Sequence, residues 1–212
     1  MTAQGGDAEP CVTPEQRSGD HYFSASPDTP SRPSTVRLDL PDRSLQLRTD
    51  RGVFSPDRVD PGTKLLLMEL PPLRVGPVLD VGCGYGAIAC TVALRHPDLE
   101  VLALDVNERA LELCRVNAAE LGAAVRVLAA PGDDVATVGT IVSNPPIRIG
   151  KAALHDLLAS WLERLDPDGC AHLVVHKNLG ADSLARWLVG RGHAVERRCS
   201  RQGYRVMDVH PS

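Results

Sequence analysis

Three glycines and one carboxylate set the first chemical expectation. The apolar run Val78-Leu79-Asp80-Val81 ends in Gly82-Cys83-Gly84-Tyr85-Gly86-Ala87. Glycines at a strand-to-helix turn permit tight backbone geometry and close approach of a ligand, and the helix that follows offers free N–H groups. Asp105 closes the next apolar run, 21 residues beyond Gly84. In doubly wound sheets an acid at that place accepts both hydroxyls of a nucleoside ribose. Ala87 also completes the loose dinucleotide pattern, so the glycines alone leave more than one cofactor class open. Asp80 lies inside the apolar run, and a buried carboxylate needs a partner, which a ligand ammonium would supply. A second hexapeptide, Ser143-Asn144-Pro145-Pro146-Ile147-Arg148, follows another apolar run. Two prolines there stop strand pairing and fix a rigid loop at the carboxyl edge of the sheet, where ligands bind.

The elements that must position these residues are legible as alternating patterns. Residues 36–48 alternate apolar and polar around Pro41-Asp42, which predicts a β-hairpin. Asp60-Pro61 ahead of a leucine-rich run predicts a turn feeding a helix. Strands are expected at 77–82, 100–105, 125–130, 140–144 and 171–176, with helices at 87–95, 107–121, 151–165 and 182–190. Two terminal strands, 193–197 and 203–209, are close enough to pair antiparallel. The expected fold class is α/β, a Rossmann-like doubly wound and mostly parallel sheet with an antiparallel C-terminal strand, plus a small N-terminal hairpin and helix extension. Residues 1–20 read as a disordered polar tail, 21–70 as an N-terminal arm and extension, and 71–212 as the Rossmann-like domain.

Composition bounds the function classes. The chain has 212 residues, 43% hydrophobic and 24% charged, with a formal net charge of −4. That describes a soluble globular chain with no apolar run of membrane-helix length, and the start of the sequence predicts no secretory signal; a cytoplasmic, monomeric protein is expected. Six scattered cysteines with no C-x-x-C pair read as small buried hydrophobes in a reducing compartment. His172 and His176 sit in a strand with no carboxylate or third ligand at metal spacing, so they read as structural and no metal is expected. Arginine supplies 20 of the 23 basic residues. That bias reflects either codon usage or bidentate phosphate recognition. The run from Arg191 to Arg205 holds five arginines against Glu196, either a backbone-contacting edge for nucleic acid or a hairpin edge kept free of aggregation by charge.

With the glycine loop, Asp80, Asp105 and the Asn-Pro-Pro loop together, residues 75–180 resemble the class I S-adenosylmethionine-dependent methyltransferases. The resemblance implies a cofactor site at Asp80, Gly82, Cys83, Gly84 and Asp105, with Asn107 beside the adenosine. The family's adenine-contacting acid falls on Ala130 here; Asp133 or Asp134 substitutes, or both are solvated loop acids. The Asn-Pro-Pro motif resembles that of N-methyltransferases acting on exocyclic amines of bases or on glutamine amides, and makes Asn144, Pro145, Pro146 and Ile147 the candidate catalytic residues. A planar amine has a delocalised lone pair. Hydrogen bonds to the Asn144 oxygen and a proline carbonyl pull it toward nucleophilic geometry and hold it in line with the methyl group. Ile147 stands where relatives carry an aromatic ring, so apolar packing replaces stacking or an aromatic arrives from elsewhere.

The longer run SNPPIRIGK, with HYFS at 21–24, GVFS at 52–55 and DPGT at 60–63, is similar to the small-subunit ribosomal RNA guanine-N2 methyltransferases in a short form. This resemblance implies that Phe54 and the DPGT segment, Asp60 to Thr63, border the cofactor, and that Asn144 touches both the cofactor and the substrate. Tyr22 and Phe23 either stack on a base or anchor the arm. Arg148 and Lys151 either contact phosphates or are solvated charges. The implied partner is ribosomal RNA or an assembled small subunit, with base flipping. The alternatives are the same chemistry on a glutamine amide or small amine, and a non-catalytic RNA-binding module. A dehydrogenase fits the glycines but leaves the Asn-Pro-Pro loop without a role.

Overall fold

The structure is a computed structural model, and it describes residues 29–128 and 135–211. The expected tail at 1–20, Tyr22, Phe23, Ala130, Asp133 and Asp134 lie outside the described residues.

The first elements are a two-stranded antiparallel hairpin, β1 (Ser34–Asp39) and β2 (Ser44–Thr49), closed by Leu40 N–H donating to the Arg43 carbonyl at 2.8 Å. Strand periodicity turns Val36, Leu38, Leu45 and Leu47 to one face, and all four are buried. Next, Asp60 caps helix α1 (Pro61–Glu69), with Pro61 at the first helical position, where a missing N–H costs nothing. The main body alternates β3 (Val78–Val81), α2 (Ala87–Arg95), β4 (Val101–Leu104), α3 (Glu108–Leu121), β5 (Val125–Val127), β6 (Val138–Ser143), α4 (Lys151–Leu162), β7 (Leu165–His176) and α5 (Ala181–Gly190). It ends in the hairpin β8 (Ala194–Arg201) and β9 (Tyr204–His210).

One seven-stranded sheet has the order β5-β4-β3-β6-β7-β9-β8. Strands β5, β4, β3, β6 and β7 are parallel, while β9 runs antiparallel to both β7 and β8. Every residue of β3, β4 and β6 is buried, the continuous apolar pattern of strands covered on both faces. The chain reverses direction of winding between β3 and β6. At such a switch point the loops diverge and leave a crevice at the carboxyl edge. No helix among the described residues is long and apolar enough to cross a membrane.

The expected architecture is observed with differences in element length, among them β8, which runs to Arg201 rather than 197. Helix α4 ends at Leu162 rather than 165, and β7 starts at Leu165 rather than 171. The breaker sequence Asp166-Pro167-Asp168-Gly169 produces both. It does not separate helix from strand, but bulges within the strand: Leu165 pairs with Val138, and pairing resumes at Cys170 opposite Thr140. Asp166 Oδ1 accepts from the Asp168 N–H at 2.9 Å inside that bulge.

The hairpin is joined to the sheet by Asn117, a buried polar residue on α3 that the sequence pattern does not mark. Its Oδ1 accepts from Arg48 N–H at 2.7 Å, and its Nδ2 donates to the carbonyls of Arg48 and Tyr85 at 2.9 and 2.8 Å. One amide thus completes the edge of β2 and braces the glycine loop. Asn117→Ala leaves three backbone groups unpaired and is expected to lower unfolding free energy by about 2–3 kcal/mol. Urea unfolding checks it: the midpoint falls while the slope stays constant.

Candidate active site

Strand β3 runs out into a loop whose backbone is left-handed at Gly82, Gly84 and Gly86, with φ of 75°, 54° and 88°. These positions differ in what glycine is for. A side chain at Gly86 would meet Cys114 Sγ at 2.7 Å, so this glycine lets the loop seat on α3. At Gly84 a Cβ would meet nothing within 4 Å. The space above it is open to a ligand.

The loop and Asp105 orient each other. Asp105 Oδ2 accepts from Gly84 N–H at 2.9 Å and its Oδ1 from Asn107 N–H at 3.0 Å. Burial pushes the Asp105 carboxyl above its usual range, and the hydrogen bonds from Asn107 and Gly84 oppose that shift. Asn107 caps α3 through its Oδ1, which accepts from Ala110 N–H at 3.2 Å, and its Nδ2 donates to the Gly52 carbonyl at 2.7 Å. That bond draws the 52–55 segment to the sheet edge and places Phe54 at the rim.

On the other side of the switch point β6 ends at Ser143, whose hydroxyl donates to the Val81 carbonyl at 2.5 Å. Pro146 lies at φ −75°, ψ 73°, and Ile147 N–H donates to the Pro145 carbonyl at 2.8 Å, an inverse γ-turn that folds the loop back over the glycines. Asn144 Nδ2 donates to Asp60 Oδ1 at 2.9 Å and to Thr63 Oγ1 at 3.0 Å. A carboxylate only accepts, so it fixes which end of the amide faces it. The Asn144 oxygen is therefore the free end. Asp60 Oδ1 also accepts from Gly62 and Thr63 N–H at 2.8 and 3.2 Å, while Tyr204 O–H reaches Asp60 Oδ2 at 3.3 Å. The Tyr204 ring lies so close over Gly62 that a Cβ there would come within 2.5 Å of it.

These groups enclose a cavity of about 240 Å³. Of the residues singled out from sequence, Gly82, Gly84, Asp105, Asn107, Phe54, Asn144, Pro145, Pro146, Ile147 and Arg148 line it. Thr63 and Cys83 line a smaller adjoining recess that shares Phe54, Asp60, Gly82, Gly84 and Asn144. Asp80 lines neither: its Oδ2 accepts from Ala89 N–H at 3.0 Å in the first turns of α2, and its Oδ1 is buried without a partner. Burial raises the Asp80 carboxyl well above its usual range. Lys151 opens α4 and is exposed, outside the cavity lining.

Sequence reasoning missed three contributions. Asp60 belongs to the segment expected to border the cofactor, but its hold on Asn144, across 84 residues, was missed. Tyr204 and His176 reach the cavity from the antiparallel β7–β9 pair, packed edge to face at 4.9 Å. The one available signal was scarcity, since the chain has only seven aromatic residues of the Phe, Trp and Tyr types. The reading of His172 and His176 as an unaccompanied structural pair is also corrected. The β7–β9 ladder puts Asp208 Oδ1 2.7 Å from His172 Nδ1, whereas His176 faces the cavity.

The doubly wound sheet with its C-terminal antiparallel hairpin, glycine loop and Asn-Pro-Pro turn defines a Rossmann-like methyltransferase. The sequence profile described as methyltransferase small domain matches residues 44–208, and the chain belongs to this family. It is 34% identical over 195 residues to the Bacillus subtilis (strain 168) protein named "Uncharacterized protein YbxB", covering 89% of this chain and 96% of that one. It is 35% identical over 193 residues to "Ribosomal RNA small subunit methyltransferase C" of Pseudomonas entomophila (strain L48), covering 88% of this chain and 57% of the relative. The chain spans about half the length of the relatives bearing that name. Among solved structures, the fold matches the T. thermophilus 16S rRNA N2 methyltransferase RsmC in complex with AdoMet and guanosine, at a TM-score of 0.73 and 24% identity, over 86% of this chain and 52% of that one. A Pyrococcus furiosus methyltransferase matches at a TM-score of 0.57 and 20% identity, over 69% and 80%.

Asp60 is expected to separate capping from charge. Asp60→Ala removes the cap of α1 and the anchor of Asn144, lowering unfolding free energy by about 1–2 kcal/mol, whereas Asp60→Asn, an equally good cap, costs far less. Parallel urea titrations of the two variants measure the difference.

Proposed function

We propose that this chain transfers the methyl group of S-adenosylmethionine to the exocyclic N2 of a guanine in small-subunit ribosomal RNA, in the cytoplasm. The observation that carries the reading is the clamped Asn144 amide, whose free oxygen stands at the end of β6 beside the glycine loop and Asp105. The cavity fits the cofactor: Gly84 leaves open space, and Asp105 brings a backbone-oriented carboxylate to the same wall. Gly82, Cys83 and Gly84 would hold the methionine portion, Asp105 the ribose, and Asn107 and Phe54 the adenosine. When bound, the cofactor supplies an electrophilic methyl group on a sulfonium. The relatives' names support ribosomal RNA as the acceptor class.

The chain's own residues supply position and polarity. Asn144 Oδ1 and the second lone pair of the Pro145 carbonyl accept the two amine hydrogens, which draws the nitrogen toward pyramidal geometry. Asp60 and Thr63 prevent the amide from presenting its NH₂ end instead. Ile147, Ile149 and Leu157 give the cavity beyond the turn an apolar wall that excludes water from the amine. Tyr204 and Phe54 supply the aromatic rings that Ile147 does not. Among the described residues neither Arg148 nor Lys151 pairs with a carboxylate. Both remain available to phosphates flanking a flipped base.

Labelled S-adenosylmethionine with isolated small subunits is expected to yield N2-methylguanosine on nucleoside analysis; label in protein or in free small molecules instead sinks the RNA assignment. Asn144→Ala is expected to lower turnover by about 100-fold or more while S-adenosylhomocysteine affinity, read by calorimetry, stays nearly unchanged.

The raised Asp105 carboxyl fixes the sign of a pH effect. Protonation favours the folded chain, because it relieves the cost of burying the charge, yet it removes the acceptor proposed for the ribose. Cofactor affinity is therefore expected to fall on acidification at a higher pH than ordinary carboxylates titrate, and Asp105→Asn is expected to bind weakly at every pH. Calorimetry across pH 4–8 reads both; a flat wild-type profile refutes the assignment.

A further inference from the structure

Away from the cavity, the β7–β9 ladder gathers a second set of donor side chains. Antiparallel register sets His172 opposite Asp208. One pleat further on, Cys170 Sγ stands 3.8 Å from His210 Nε2 and 3.9 Å from His172 Nδ1. Alternation along a strand puts residues i and i+2 on one face, so Cys170 and His172 from β7 and Asp208 and His210 from β9 share a face. The donor atoms of Cys170, His172 and Asp208 all lie within 4.8 Å of one another. His172 and Asp208 are buried, Cys170 is partly exposed and His210 is exposed, which leaves an entry path from solvent.

We propose that Cys170, His172, Asp208 and His210 form a Zn²⁺ site that clamps β9 to β7. A thiol, two imidazoles and one carboxylate are the donors of a borderline-soft tetrahedral ion, not of Mg²⁺ or Ca²⁺. Bonds of about 2.0–2.3 Å hold tetrahedral donors roughly 3.3–3.6 Å apart. The separations of 2.7, 3.8 and 3.9 Å bracket that range; His210 lies beside Cys170 but outside the 4.8 Å group, so its side chain must swing toward His172 and Asp208 to complete the shell. The charges agree. Asp208 pairs with the Arg198 guanidinium, and Glu196 stands opposite Asp208 in the β8–β9 register, so two acids neighbour one arginine on this ladder.

The proton balance follows. The Sγ–Zn bond forms as the thiol proton leaves to solvent. In the ion-free chain the 2.7 Å contact to Asp208 is made by the His172 Nδ1 proton, so ion binding requires that proton to pass to solvent and Nε2 to take one up, a net-neutral tautomer change that frees the Nδ1 lone pair. Asp208 Oδ1 turns from Arg198 Nε to the ion, while Arg198 Nη2 stays on Oδ2 as an outer contact that orients the carboxylate. The far ends of the same strands carry His176 and Tyr204 into the cavity, four residues from His172 and Asp208 respectively. The ion would stiffen the ladder that sets those two side chains.

The test uses the untagged full chain, stripped with chelator and titrated with Co²⁺. One Co²⁺ per chain with thiolate-to-cobalt absorption, displaced by Zn²⁺, is expected. Cys170→Ser is expected to abolish the absorption, and His210→Ala to weaken binding roughly tenfold or more. Both side chains lie outside the buried core, and circular dichroism confirms that the variants fold. Zn²⁺ is expected to raise the thermal midpoint of the wild type but not of Cys170→Ser, with about one proton released per ion. Absorption that survives in Cys170→Ser, which would place the ion on other cysteines, or a wild-type chain that takes up no Co²⁺, overturns the proposal.

Discussion

The contact between Asp60 and Asn144 is the constraint around which the site is organised. It joins the start of α1, which precedes the sheet in sequence, to the end of β6 at the switch point. Without a fixed acceptor, an asparagine amide rotates between two nearly isosteric orientations that present opposite polarity. The Asp60 carboxylate resolves that degeneracy, and it is itself held by Gly62 and Thr63 N–H and by Tyr204 O–H. The polarity of the cavity wall thus depends on α1, β6 and β9 arriving together. No single element contains the site.

Two acids beside the glycine loop, one half-buried and one fully buried, carry an electrostatic cost. Asp105 is held by backbone N–H groups and faces the cavity; burial raises its carboxyl, so the charged form works against folding. Asp80 goes further, with one oxygen on Ala89 N–H and the other without a partner. An unsatisfied buried carboxylate oxygen is retained only where something offsets it. The α2 N-terminus supplies part of that offset through its dipole. Residues 44–208 fall within a methyltransferase family, and both acids flank the glycine loop proposed to hold the cofactor.

How much of this was legible in the sequence follows from the range of the interactions. The alternation of buried strands and amphipathic helices is local, and it made the order of strands and helices, the N-terminal hairpin and the turn into α1 legible. Motif residues whose roles are carried by backbone geometry, such as Gly84 and Pro146, were legible for the same reason. Asn117, Tyr204 and the Asp60–Asn144 bond were not, because each joins segments separated by tens of residues and depends on strand order. The Asp166–Gly169 segment shows a local signal misleading: a breaker sequence reads as a loop, yet the sheet absorbs it as a bulge because Leu165 still pairs with Val138. His172 failed in the same way, since its carboxylate lies 36 residues away on an antiparallel neighbour.

The arginine excess takes a different meaning from the structure. Of the five arginines between 191 and 205, Arg191 pairs with Glu163, Arg198 with Asp208, Arg201 with Glu69 and Arg205 with Asp182. The run is largely neutralised within the fold, and a chain of net charge −4 has no long-range field to draw in a polyanion. Exposed ion pairs contribute only about 0–1 kcal/mol each, so phosphates can displace some of them, but each exchange gives back what the pair supplied. Under the proposed function, affinity must then arise at close range, from a base seated in the apolar cavity between the turn and Tyr204 and from Arg148 and Lys151 beside it. Binding of that kind depends on how the acceptor presents its base more than on how much phosphate surrounds it. This favours a folded ribosomal surface over free RNA as the form in which the acceptor is recognised.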